Sequence, residues 1–524
     1  MLQRRFSFLS AFGRVRWTDR KLLVACLGIG FLVRLAPELL SWPLPIGFDT
    51  VYYATVMKDG VILPHWSAFF DSAWLLYALI VPVYGVFQGD PFLLLKLVGP
   101  LLFGLNVAGV YWFAKRALGW SSRLSLVAGV FFALQLASLR ISWDLLRNTL
   151  GLGFLLFALT YVKEVGTKRG FGLFVGFSLL SVFAHELAGA VLIFVVLGLL
   201  AWRFMKKRFD RSSLVLALGA LPSLSVFVVG MYLRAFPVRN LGPLNVIEAS
   251  DVVRGQAGTL FLIDYLHVQD TVDYYSSYVG LALSVGLLFA VLFLPYLFLV
   301  VKGFFRNGIL NLWTALLLVG AFGCLVVPFS ALPLWHRWMF MLVYPFTFFA
   351  VNGIAKLAST TGEKRFFVSG LRALKPVAVA LLLTLGLSVA YLGTPVLMNY
   401  TDSSLPSLVN ISPYFSVAPA VPYQDEQNVI KSLEWLDTNM DANSCVVLQN
   451  AFLQWGRLCL DTSHSIVYFI RDLDAGIVTA SDHGYSQMFF VWWNVPIGWY
   501  GIYVPDRFVS VQDFGRISVF VYEV

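Results

Sequence analysis

Charge is scarce in this chain. Of its 524 residues only 13% are charged and 59% are hydrophobic, whereas soluble domains carry about 25% charged residues. A soluble fold cannot hide that much apolar surface, so much of the chain must face lipid. Cysteine is nearly absent, with four residues, and neither cysteine nor histidine recurs at metal-binding spacing. An internal repeat, a phosphate loop and a nucleotide fingerprint are also missing, which leaves nothing to support cytoplasmic ATP chemistry. The formal charge of +9 does not argue for nucleic acid. In a membrane protein Lys and Arg mostly record which loops stayed inside.

Apolar stretches near the length of a bilayer crossing, about 20 residues, lie at Leu22–Leu40, Phe92–Phe113, Leu124–Ile141, Leu150–Val162 and Ser212–Leu233. Others follow at Tyr278–Val301, Ile309–Phe329, Trp338–Ile354 and Val377–Val396. Phe171–Trp202 is too long for one span and is interrupted by His185-Glu186, so it reads as two short helices joined at that polar pair. The expected fold is an all-α polytopic membrane domain of about eleven transmembrane helices over 22–397, behind a basic cytoplasmic N-terminus at 1–21.

One more apolar stretch, Ala73–Phe87, lies in the loop 41–91. Treating it as a crossing would move most of the clustered Lys and Arg to the outside, against the positive-inside rule. It is therefore read as a helix hugging the outer face. The apolar run behind the basic N-terminus holds Arg34 and Pro37 and lacks a small-residue cleavage site, which argues for a retained signal-anchor. An odd number of spans puts the C-terminus outside.

After the last span, residues 398–425 form a linker rich in Pro and Ser, and 426–524 read as a small extracytoplasmic α+β domain. In it Glu426–Asn439 has helical spacing, while Cys445–Leu448 and Arg516–Val524 have strand character. Triplets at Asn399 and Asn410 fit glycosylation acceptors on the outer side. Cys445 and Cys459 could pair there or remain free.

Ionisable residues near the membrane need a reason to be there, since a charge at the bilayer centre costs about 2.5–3.5 kcal/mol on insertion scales. Asp49, four residues before Tyr53, follows the first span where Pro45 and Gly47 can turn the chain back. Asp144 sits in the tight turn between spans three and four, flanked by Arg140 and Arg147, either of which could simply pair with it. His185 and Glu186 break the fifth and sixth spans, as a site or as a cap. Arg337, between Trp335 and Trp338, opens the tenth span with a planar fork suited to phosphate, or snorkels to the interface. All are expected on one side of the membrane. Two carboxylates can hold a divalent cation or activate an acceptor hydroxyl, and arginine can neutralise a leaving phosphate.

These residues in this order resemble the GT-C superfamily, integral-membrane glycosyltransferases that use polyprenyl-phosphate sugars. The nearer look-alikes are the protein O-mannosyltransferase and lipid A aminoarabinose transferase types, and more distantly the catalytic subunit of oligosaccharyltransferase. The resemblance implies that Asp49 is base or metal ligand and that Arg140 and Asp144 form the second acidic motif. It also implies that His185, Glu186 and Tyr53 line the sugar pocket, and that Arg337 meets the lipid phosphate. A divalent cation (Mg or Mn) at Asp49 and Asp144 is implied in the same way. The partners would be a polyprenyl-phosphate sugar donor, a protein, lipid or glycan acceptor and the bilayer, with no nucleic acid, in a multi-pass cell-membrane protein.

Two departures stand out. The family's first motif usually offers two acids, whereas Asp49 is followed by Thr50. Oligosaccharyltransferases carry Trp-Trp-Asp-Tyr-Gly early in the outer domain, where this chain has Gln454-Trp455-Gly456-Arg457, which disfavours en bloc transfer to asparagine. The rival class is a transporter or lipid flippase for envelope glycans, against which stands the lack of matched broken-helix halves. The second outer loop, Arg234–Tyr275, with Glu248, Asp251, Arg254 and His267, is expected to cover the site.

Overall fold

The computed structural model describes residues 18–47, 49–71, 73–235, 245–252, 278–326, 335–360, 368–397, 421–441, 443–470, 472–494 and 502–523. The basic segment before Thr18, both glycosylation triplets, Arg254 and His267 lie outside the described residues.

Helices stand at every expected span. α1 (Asp19–Leu40) starts from Thr18, whose hydroxyl accepts the Lys21 amide at 3.4 Å. Next come α2 (Thr50–Asp59), α3 (Ala68–Asp71) and α4 (Leu75–Phe87). With 13 residues, α4 is about 20 Å long and cannot cross a hydrocarbon core about 30 Å thick. Its Val83, Val86 and Phe87 are exposed. α5 (Pro91–Arg116) is capped by Asp90, whose carboxylate accepts the Phe92 amide at 2.8 Å, and Pro91 occupies the first turn, where a missing N–H costs nothing.

α6 (Ser122–Ala133) and α7 (Leu136–Asp144) are bent by 62° against each other, and α8 (Leu146–Tyr161) follows at once. α9 (Lys168–Ala184) and α10 (Glu186–Met205) meet at His185, where the sequence placed their junction. The bundle is completed by α11 (Arg211–Ala235), α12 (Tyr278–Phe293), α13 (Leu297–Gly303), α14 (Gly308–Val326), α15 (Trp335–Met341), α16 (Val343–Thr360) and α17 (Val368–Leu397). Seven described helical stretches are long and apolar enough to cross a membrane, or up to eight if the bent α6–α7 pair is one span. The remaining expected spans fall on α8 and α9, of 16 and 17 residues, and on α17.

α1 and α5 pack backbone to backbone. A Cβ on Gly104 would lie 2.5 Å from the Leu27 carbonyl oxygen, and one on Gly30 would lie 2.7 Å from Val107 Cγ2. Small residues at a crossing permit that approach where no hydrophobic drive joins helices in lipid.

The C-terminal domain holds α18 (Tyr423–Asn439), α19 (Asn450–Cys459) and α20 (Leu473–Asp482) around a six-stranded sheet. Its strands are β1 (Val246–Glu248), β2 (Ser444–Gln449), β3 (Ser465–Phe469), β4 (Gln487–Trp493), β5 (Val509–Phe514) and β6 (Ile517–Glu523), in the order β1-β3-β2-β4-β6-β5. The first four of that order run parallel, and β6 and β5 are antiparallel to their neighbours. β2 is buried along its whole length, as befits a central parallel strand covered on both faces. β1 comes from the loop expected over the site. It pairs with β3 instead, Val246 opposite Ile466 and Glu248 opposite Tyr468. Asp251 Oδ2 accepts the amides of Ile470 and Asp472 at 3.0 and 2.9 Å, so the described part of that loop is a sheet edge.

The domain is not hung on a tether. Its core runs without interruption into Val51, Tyr53 and Ala54 of α2, Leu75 and Ile80 of α4, and Leu146 and Leu150 of α8. The Gln454-Trp455-Gly456-Arg457 segment lies on α19, at this contact. Gln454 accepts from Thr55 at 3.0 Å, Arg457 pairs with Asp59, and the Trp455 ring sits 5.8 Å from that of Phe92. Cys445 and Cys459 are free, and burial pushes both thiols up to about 12.

Candidate active site

The expected site residues cluster at helix breaks, where backbone groups lose their partners and polar side chains must replace them. Asp49 precedes α2 in helical geometry, half-buried, and its carbonyl accepts the Tyr53 amide at 3.1 Å. One turn later Tyr53 is fully buried, its ring 6.0 Å from Tyr52 and 6.2 Å from Tyr77 of α4. Against these tyrosines lies Arg147, in the first turn of α8. Its guanidinium carbon is 5.8 Å from the Tyr77 ring, and Tyr52, Tyr53, Tyr77 and Glu186 all act on it electrostatically. One basic group therefore joins α2, α4, α8 and the start of α10.

His185 is buried, and its Nδ1 accepts the Leu187 amide at 3.1 Å, capping α10. The cap and the site are not alternatives, because a neutral imidazole accepting at Nδ1 carries its proton on Nε2. Glu186 opens α10 beside it.

A second group forms around α7 and α15. Arg140 is buried with its guanidinium carbon 5.7 Å from the Phe340 ring, and both Arg140 and Arg337 act electrostatically on His336. Asp144 is the last residue of α7, between Arg140 and Arg147 in the chain. Side-chain contacts of Asp144 lie outside the described residues.

Several buried polar atoms here have no hydrogen-bond partner among the described residues: Arg147 Nε, both amide atoms of Asn148, and Arg337 Nε. Buried polar atoms are nearly always satisfied by protein, water or ligand. Among the described residues no three His, Cys, Asp or Glu side chains converge as a metal cage would require. A hard cation that takes one or two carboxylates plus phosphate oxygens needs no third protein ligand.

Sequence reasoning named Arg147 only as a partner for Asp144 and used Arg34 only to argue for a retained signal-anchor. The signal for both was available: a charge inside or beside an apolar span is a candidate in itself. Tyr52 and Tyr77 gave none, since tyrosine is common at membrane interfaces.

By sequence, no protein-family model and no curated protein matches the chain. By structure, it is similar to the Archaeoglobus fulgidus oligosaccharyltransferase solved with zinc and sulfate, at 14% identity and a TM-score of 0.54 over 90% of this chain and 67% of that one. It is similar to the mycobacterial arabinofuranosyltransferase AftD, at 14% identity and a TM-score of 0.52, covering 96% of this chain and 40% of the other. ArnT from Cupriavidus metallidurans, solved with undecaprenyl phosphate, aligns at 13% identity and a TM-score of 0.49 over 95% and 97%. Identity this low speaks for the fold, and the first two matches define it. The chain shares its fold with these membrane glycosyltransferases, the fold that the resemblance implied.

Proposed function

We propose that the protein is an inverting glycosyltransferase that moves one sugar from a polyprenyl-phosphate donor to an acceptor hydroxyl on the outer face of the membrane. What supports this reading is the GT-C fold, together with the grouping of Tyr53, Arg147 and Glu186 and that of Arg140 and Arg337 about His336. Asp49, half-buried and able to reach solvent, takes the acceptor proton. The acceptor oxygen then bonds to the anomeric carbon as the bond from that carbon to the phosphate oxygen breaks, and polyprenyl phosphate leaves. Arg337 receives the growing negative charge, with Arg140 beside the same helix. Stabilising that charge should be the largest contribution to rate.

His185 through Nε2, Glu186 and Tyr53 line the sugar pocket, and Arg147 holds Glu186 in place. A divalent cation held by Asp49 and Asp144 would supply further charge neutralisation at the donor phosphate. The outer-side placement follows from the distribution of Lys and Arg. Purified Asp49→Asn protein in lipid should lose at least about 100-fold in transfer of labelled sugar from a polyprenyl-phosphate donor, the low end of what a positioned acid–base group supplies. Full activity in that variant would remove Asp49 from the role of base.

A further inference from the structure

A helix that ends inside a membrane domain leaves up to four carbonyls without partners, and no water is at hand to take them. α7 ends this way, and its last residue is Asp144. Three of its final carbonyls are taken by side chains from elsewhere. Thr149 Oγ1 donates to Ile141 O at 3.1 Å, Arg34 Nε donates to Ser142 O at 3.2 Å, and Arg34 Nη2 donates to Trp143 O at 3.0 Å. The Arg34 guanidinium carbon also lies 4.9 Å from the Trp143 ring centroid. Arg34 is itself fixed from behind. Its Nη1 meets Glu38 Oε1 at 2.8 Å, and Lys96 of α5 donates to Glu38 Oε2 at 3.3 Å, to the Glu38 carbonyl at 3.1 Å and to Ser41 Oγ at 2.9 Å. Arg34, Glu38 and Lys96 are all buried. Glu426, fully buried at the start of α18, acts on Lys96 electrostatically from the C-terminal domain.

We infer that Arg34 is a positioning residue: its fork holds the C-terminal end of α7, and so sets where Asp144 and Arg147 stand on either side of the break. Guanidinium suits this task, because it offers two donors in a fixed plane to two carbonyls of one turn. A cation at the negative end of a helix is favoured as well. Arg34 touches no reacting atom in this arrangement. Glu38 and Lys96 orient it.

The test uses the full-length protein in lipid nanodiscs and two variants. Arg34→Lys keeps the charge but offers no planar fork. Arg34→Met with Glu38→Gln removes one charge of each sign, so it keeps the net charge of the buried set if the single variant folds poorly. Hydrogen exchange of the amides at 145–149 reports the turn directly, and both variants should raise it about tenfold or more at an unchanged fold, because the turn's outside anchor is gone. The activity readout rests on the transferase reading above: kcat should fall about 100-fold, the size expected of a catalytic group displaced by about 1 Å, with the donor KM within about twofold of wild type. Unchanged exchange at 145–149 overturns the inference, and so does a raised KM at unchanged kcat. If the wild-type protein transfers no sugar, the proposed function fails while the exchange measurement still decides the role of Arg34.

Discussion

Gly151 offers the most direct test of the proposed site, because it lies one turn beyond Arg147 on α8 and faces the α9–α10 junction. A Cβ there would sit 2.9 Å from Ala188 Cβ, 3.1 Å from His185 Cβ and 3.4 Å from the His185 nitrogen. Carbon atoms in good contact stand about 3.5–4.0 Å apart. Neither neighbouring Cβ is the end of a flexible side chain, so Gly151→Ala must push the junction away from α8 by about half an ångström. Overpacking of this kind costs about 1–3 kcal/mol, and replacing glycine within a helix returns about 0.5–1 kcal/mol. The protein should therefore fold, with a slightly lower melting temperature. His185 and Glu186 would then stand off from Arg147, and since a 1 Å misplacement can cost about 100-fold, half of that should lower kcat about tenfold. Gly176→Ala on α9 is the control: nothing lies within 4 Å of its Cβ, so it should gain the helix term and leave turnover alone. Steady-state transfer kinetics and melting curves of both variants decide the matter. Wild-type turnover in Gly151→Ala would refute the idea that the junction and Arg147 form one pocket.

Burial raises Glu426 well above the usual carboxylate range, with Lys96 opposing the shift. A carboxyl whose folded value is raised contributes stability that is complete below its unfolded value, about 4.3, and is lost as pH rises through the folded value. Melting of the wild type should therefore fall from pH 5 to pH 8 more steeply than that of Glu426→Gln, and parallel curves would count against the assignment. Trp455→Ala removes a buried side chain at the contact between α19 and α5. It should cost about 3–5 kcal/mol and split calorimetric unfolding into separate transitions for domain and bundle, whereas a single unshifted transition would show that the shared core does not couple them. Cys445 is buried and its thiol is pushed up to about 12, so it is no thiolate at pH 8. Maleimide should label Cys445 only after unfolding, and rapid labelling of it in the native protein would contradict its burial.

Most of the bundle could be read from the chain because the bilayer fixes both the length and the apolarity of what crosses it. The interruption at His185-Glu186 gave away the α9–α10 junction for the same reason: two ionisable residues in a long apolar run have to break it. Strand β1 could not be read. Three residues, Val246–Glu248, carry no period of their own, and their partner β3 lies at Ser465–Phe469, far along the chain. Which loop closes over such a distance is decided by the docked domain rather than by local preference. The role of Gln454-Trp455-Gly456-Arg457 was hidden similarly. A motif compared only with a relative's signature looks like a substitution in a site, whereas its contacts with Thr55, Asp59 and Phe92 make it part of the joint between domain and membrane.

The three breaks in the early spans obey one rule, and that rule separates structural polar residues from candidate catalytic ones. At the α6–α7 bend, Ser138 donates to Phe132 O and Gln135 O, and Ser388 of α17 donates to Leu134 O. At the end of α7, Arg34 and Thr149 do the same. At the third break the His185 ring caps α10, while Ser181 donates to Gly151 O at 3.0 Å. Each of these groups answers a need of the backbone, and losing it would expose an unsatisfied carbonyl or amide in a dry setting. Arg147, Asn148 and Arg337 differ from them. They carry buried donors or acceptors that the described protein leaves unused, in a place where an idle polar atom costs about 1–3 kcal/mol. Under the proposed function these are the groups left over to meet the phosphate and sugar oxygens of the donor, whereas the groups that cap the breaks are already spent on the backbone.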